Sequence, residues 1–183
     1  AQQALAAISG LGQARLRGPL GAAGWHIAIE TGADACIAGG PAAALESLAA
    51  GVAAAGGRLG RLPVDVAAHT PYMREAVAPF AAALRASAYR TPRAPLLSGI
   101  GACKIDSKAA AVEHLSRQLA EKIVWMDCMD ACAEAGVTVA LELGPGAALS
   151  RMLLARHPGI DCRAAADFRS LDGIARWLGR HFD

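Results

Sequence analysis

Aromatic residues are scarce in this chain: three Trp, two Tyr and three Phe make up 4% of its 183 residues. None interleaves with the scattered arginines, and the formal net charge is only +2. The basic, aromatic-lined surface of a nucleic-acid binder is therefore missing. Also missing is any uncharged apolar run of the roughly 18 to 20 residues that cross a bilayer. The Ala-rich stretches are broken by Gly, Pro and charge, so no membrane partner is expected. The five cysteines, Cys36, Cys103, Cys128, Cys132 and Cys162, contain no CxxC pair. An odd, widely spaced set does not make a disulfide framework and fits a reducing, cytoplasmic setting. Cys128 and Cys132 lie one helical turn apart, but no His pair at usable spacing completes a zinc site. They are expected as small core side chains, and no metal is expected. The chain opens Ala-Gln-Gln, without the basic-then-apolar order of a signal peptide, and this start reads as an internal cut.

What is present is apolar. Hydrophobic residues make up 54% and the mean hydropathy is +0.31, which excludes a disordered chain. The length suits one ordinary domain or two small ones. Residues 5–10 form a short apolar run ending in Gly, and 11–22 are weakly helical. Residues 26–31 alternate, turn at Gly32-Ala33-Asp34 and return over 35–39, which predicts a hairpin. Pro41 suits a helix N1 position, ahead of Leu45, Leu48, Ala49 and Val52 at helical spacing. Gly56-Gly57 ends that helix and 58–64 returns as a strand. The order over 1–64 is β-α-β-β-α-β, the ferredoxin-like split pattern.

From residue 65 the texture changes. Thr70 and Pro71 suit the N-cap and N1 of a helix with Val77, Phe80, Ala81 and Leu84 inward. Residues 95–100 read as a buried strand. Ser107 can cap a helix with Val112, Leu115 and Leu119 inward, and a second helix covers about 126–135. Residues 137–143 are the clearest strand. After Gly144-Pro145-Gly146 comes a helix with Leu149, Met152 and Leu153 inward. Ser170 caps a last helix with Leu171, Ile174, Trp177 and Leu178 on one face. Strands alternating with helices predict an α/β fold with a parallel sheet.

Three features could carry chemistry. His69 stands at a strand exit just before a helix start, where α/β folds keep their reactive groups. An imidazole there can take and return a proton near neutral pH, although position alone favours an ordinary loop histidine. Leu141-Glu142-Leu143-Gly144-Pro145-Gly146 is a strand-turn-helix whose glycines do not have phosphate-loop spacing. Ser116-Arg117-Gln118-Leu119 with Trp125 ends an amphipathic helix and adds an aromatic.

In this order, His69-Thr70-Pro71 with Met73, then Arg117-Gln118-Leu119 with Trp125, then Glu142-Leu143-Gly144-Pro145-Gly146-x-x-Leu149 resemble the malonyl-CoA:acyl carrier protein transacylase family. The β-α-β-β-α-β segment resembles the small subdomain those enzymes insert before the histidine. The stretch Asp167-Phe168-Arg169-Ser170-Leu171-Asp172-Gly173 with Trp177-Leu178 is most similar to the malonate decarboxylase epsilon subunit. The resemblance implies an α/β fold with a ferredoxin-like small subdomain (1–64) and the C-terminal part of an α/β-hydrolase-like large subdomain with a parallel sheet (65–183). It implies that His69 is the catalytic base and that the backbone carbonyl of Gln118 orients it. Gly144, Pro145 and Gly146 would form a structural turn near the site. The substrate would be malonyl-CoA, the acceptor an acyl carrier protein thiol, and no cofactor would be covalently bound.

The family's nucleophile sits in Gly-His-Ser-x-Gly. None of the eight serines here, Ser9, Ser47, Ser87, Ser98, Ser107, Ser116, Ser150 and Ser170, has a Gly-x-Ser-x-Gly setting. The nucleophile and the carboxylate-binding arginine are therefore expected upstream of Ala1, and the chain alone is expected to be inactive. Glu30 falls where many family members have an Asn-x-Asn stretch, and would put a negative charge near a malonyl carboxylate unless it points away. Val66-Ala67-Ala68-His69 matches neither usual polyketide acyltransferase signature. Two alternatives stay open. One is a non-catalytic module docking an acidic carrier protein through Arg151, Arg156, Arg163, Arg169, Arg176 and Arg180. The other is an acyltransferase fragment of a fatty acid or polyketide synthase.

Overall fold

A computed structural model describes residues 2–90 and 92–182. The chain divides into two compact units, one ending at Cys128 and the other beginning at Met129. In the first, the order is β1 (Gln3–Ser9), α1 (Gln13–Ala23), β2 (His26–Glu30), β3 (Ala35–Pro41), α2 (Leu45–Ala54) and β4 (Arg58–Arg61). There follow α3 (Arg74–Ala86), the short strands β5 (Leu96–Leu97) and β6 (Lys104–Ile105), α4 (Lys108–Arg117) and β7 (Ile123–Val124). Helix α5 (Trp125–Glu134) holds the point of division. The second unit continues with β8 (Val139–Glu142), α6 (Ala148–Arg156), β9 (Asp161–Ala164) and α7 (Leu171–Phe182).

The first unit is organised by a five-stranded sheet in the order β4-β1-β3-β2-β7. β1 pairs antiparallel with β3 and β4, and β2 antiparallel with β3. β7 adds in parallel, with Ile29 opposite Ile123 and Glu30 opposite Val124. Ala4, Ala6, Ile8, Leu11, Leu16, Trp25, Ala38, Leu48 and Val52 form its core. Small residues let the layers approach closely. A Cβ on Gly40 would lie 2.5 Å from the Trp25 ring, and one on Gly57 2.5 Å from Leu11. The two ends of the sheet are short, β4 with four residues and an arginine at each end, β7 with two, which limits unpaired backbone. In the second unit, β8 and β9 pair in parallel and Met129, Leu153, Ile160 and Cys162 form a smaller core.

Several elements differ from the sequence-based expectation. Pro41 ends β3, its carbonyl accepting from the Trp25 indole at 3.1 Å, and α2 starts four residues later. Thr70 precedes a single turn over Pro71–Met73, but its hydroxyl donates to the Ala67 carbonyl at 2.6 Å instead of capping. Phe80 is exposed, because α3 turns Ala81 inward and Phe80 lies about 100° round the helix. The expected buried strand over 95–100 shrinks to a two-residue hairpin arm with Leu96 half exposed. Leu171 is 83% exposed at the first position of α7, while Trp177 is buried. Strand β9 had no counterpart in the sequence reading. Ser107 does cap α4, accepting from the Ala110 amide at 3.2 Å. Cys128 is buried and Cys132 half-buried, and among the described residues no group of three or more His, Cys, Asp or Glu could hold a metal.

Candidate active site

The loop carrying His69 is fixed from both sides. The Gln3 side chain on β1 accepts from the Ala67 amide at 2.8 Å, and fully buried Thr70 bonds back to Ala67. His69 itself has φ +62°, in the left-handed region, a conformation that costs a non-glycine residue roughly 1 kcal/mol or more. Two contacts to the segment after α4 hold it there. Its amide donates to the Leu119 carbonyl at 2.8 Å, and its Nδ1 lies 2.5 Å from the Gln118 carbonyl oxygen. A carbonyl can only accept, so Nδ1 carries the proton. Nε2 is left with the lone pair, the arrangement a general base needs.

The segment after α4 is itself tied down. The Arg117 guanidinium pairs with Glu113 and Glu121 at 2.9 and 2.8 Å. Val124 donates to the Gly99 carbonyl at 2.8 Å. Lys122 pairs with Glu30, whose carboxylate also accepts from Gln13 at 2.7 Å. The Glu30 carboxylate, expected to bring a negative charge to this region unless it points away, is mostly buried and paired with Lys122. Burial pushes the neighbouring Cys36 thiol up to about 11, with the Glu30 charge adding to it, so this thiol stays protonated.

His69, Lys122, His26, Ile27, Pro71 and Ile100 are among the residues lining one groove of about 440 Å³. His26 stands edge-on to Tyr72, with ring centroids 5.7 Å apart, and the Tyr72 hydroxyl donates to the Gly24 carbonyl. Ser98, which lies 16 residues before His114, is engaged by the His114 ring at 2.8 Å. Its hydroxyl is thus committed elsewhere in the unit.

The structure brings His69 and Gln118 together across 49 residues of sequence. Gly144, Pro145 and Gly146 belong to the second unit, between β8 and α6, with Gly146 at φ +85°. There the turn lets Glu142 reach the start of α6, accepting from the Ser150 amide at 2.8 Å and the Leu149 amide at 3.3 Å. Burial raises the Glu142 carboxyl, but the Ser150 and Leu149 bonds and the Arg151 charge outweigh it and leave it lowered. Gln3, Glu30, Lys122 and the helix cap by Glu142 were not singled out by sequence as supports. Only Glu142 offered a local signal, a carboxylate just before a glycine turn and a helix start.

No family model matches the chain. Over 139 residues it is 34% identical to the malonyl CoA-acyl carrier protein transacylase of Mycobacterium tuberculosis, covering 76% of this chain and 46% of that protein. The chain therefore spans about half the length of the curated transacylases it matches. Polyketide synthase GfsA of Streptomyces halstedii is 30% identical over 128 residues, 69% of this chain but 2% of that protein. The crystal structure of the malonyl-CoA:acyl carrier protein transacylase of Xanthomonas oryzae pv. oryzae superposes with a TM-score of 0.89 at 29% identity, covering 98% of this chain and 58% of that one. A malonyl-transacylase in complex with a type II polyketide acyl-carrier protein shares the fold at a TM-score of 0.88 and 21% identity, covering 98% of this chain and 59% of that one. In sequence and in fold the chain is thus similar to malonyl-CoA:acyl carrier protein transacylases, which are acyltransferases.

Proposed function

We propose that this chain is the histidine-bearing part of an acyltransferase that moves a malonyl group from malonyl-CoA to an acyl carrier protein thiol. The observation that carries this reading is the bond between His69 Nδ1 and the Gln118 carbonyl at 2.5 Å, within a chain similar to transacylases along most of its length. His69 Nε2 takes the proton of a serine hydroxyl as that oxygen attacks the malonyl thioester carbonyl. The tetrahedral intermediate collapses, the proton passes to the departing CoA sulfur, and a malonyl-serine ester remains. His69 then deprotonates the carrier thiol, whose sulfur takes the malonyl group, and returns the proton to the serine. The serine is contributed by a Gly-His-Ser-x-Gly segment outside residues 1–183. Residues 1–64 act as a ferredoxin-like subdomain and 65–183 as the C-terminal part of an α/β-hydrolase-like subdomain. Gly144, Pro145 and Gly146 shape the turn that joins β8 to α6. The C-terminal stretch from Asp167 favours malonate decarboxylase, whose cytoplasmic carrier subunit this step would prime.

In the protein that holds this chain together with its serine, His69→Ala should lower malonyl transfer by about 10³-fold or more, the scale of a lost general base, with little change in folding. Transfer of labelled malonyl to carrier protein measures this, and a variant with near wild-type rate would overturn the reading. The similarity to polyketide synthases favours a second reading, an acyltransferase domain of such a synthase. A ketosynthase encoded beside this chain would decide for it.

A further inference from the structure

We infer that the Glu30–Lys122 ion pair sets the charge preference of the His69 groove, making it accept an anionic acyl group. This rests on the transfer reading. Lys122 lines the same groove as His69, and its side chain is 39% exposed. Its partner Glu30 is 12% exposed and sits at the end of β2, directly beside β7. Glu30 stands behind Lys122 and does not itself line the groove; Glu121, which does, is occupied by Arg117. The pair is thus a charged element of this chain that contributes to the potential beside the base, in addition to the carboxylate-binding arginine expected outside residues 1–183. A carboxylate held in a poorly solvated position repels a second anion strongly unless a cation compensates it. With Lys122 in place, Glu30 is neutralised and the partly exposed lysine side chain lines the groove. An acyl thioester ending in a carboxylate then meets no net negative charge. Glu30 also accepts from Gln13, so its position does not depend on Lys122 alone.

The test is a ratio of two substrates in the intact gene product: kcat/KM for malonyl-CoA over kcat/KM for acetyl-CoA. Lys122→Met leaves Glu30 uncompensated, and the malonyl-to-acetyl ratio should fall about tenfold, the scale of one charge-assisted contact. Glu30→Gln keeps an acceptor for Gln13, frees the ammonium and should move the ratio the opposite way. Equal loss on both substrates would overturn the inference, because a purely structural pair disturbs both alike. If K122M does not fold, E30Q carries the same test alone, and an unchanged ratio there overturns it too. A wild-type protein that transfers neither acyl group would instead strike at the transfer reading itself, so the two failures are distinguishable.

Discussion

The two compact units bury their apolar surface to different depths. In the first, Ile8, Leu11, Leu16, Leu48 and Val52 are essentially sealed, and glycines stand where any side chain would collide. In the second, Met129, Leu153, Ile160 and Cys162 each keep 5 to 8% exposure, and charged clusters share the work. Asp130 accepts from Arg156 and His157, and Asp161 from Trp177 and His181. The histidines differ in the same way. His157 and His181 lean on carboxylates, whereas His69 leans only on backbone carbonyls. A carbonyl fixes the tautomer without placing a formal negative charge beside the ring.

This contrast can be attacked by mutation. Leu48→Ala in the first core should cost about 4 kcal/mol, and Ile160→Ala in the second about 2 kcal/mol, because a tighter site collapses less around a cavity. Fluorotryptophan resonances of Trp25 and Trp177 during urea unfolding would report each unit separately. Equal costs would erase the distinction. Gly40→Ala should cost about 3 kcal/mol by overpacking against the Trp25 ring, read on the Trp25 resonance. The smallest effect concerns acid. Arg156 holds the Asp130 carboxyl down, burial opposes it and His157 assists, leaving it at about 2 against an ordinary 3.8. A depressed carboxylate stabilises above its unfolded pKa and loses that contribution as pH falls from about 4 to about 2. With one third of the side chain exposed, the contribution stays under about 1 kcal/mol. An acid titration of Asp130→Asn, followed on Trp177, should lack this component.

Much of this was legible in the sequence where the signal was local. The alternation at 26–31, the helical spacing from Leu45 to Val52 and the Ser107 cap all lie within a few residues of what they form. Strand β9 was not legible, because Asp-Cys-Arg-Ala alternates over only four residues and has no β-branched or aromatic residue. The 95–100 run looked like a buried strand, yet Gly99 and Gly101 break it and its partner β6 has only two residues. The Glu30–Lys122 pair joins residues 92 positions apart, a distance no periodicity spans. His69 and Gln118 were paired by resemblance alone, since a backbone carbonyl leaves no mark in residue type.

The left-handed backbone at His69 has one more implication. Glycine adopts this geometry freely, so the position is cheapest to fold with a residue that has no imidazole. Selection for stability and selection for an imidazole therefore point to different residues at this position. A stabilised descendant of this chain is one in which that conflict has been resolved against the imidazole.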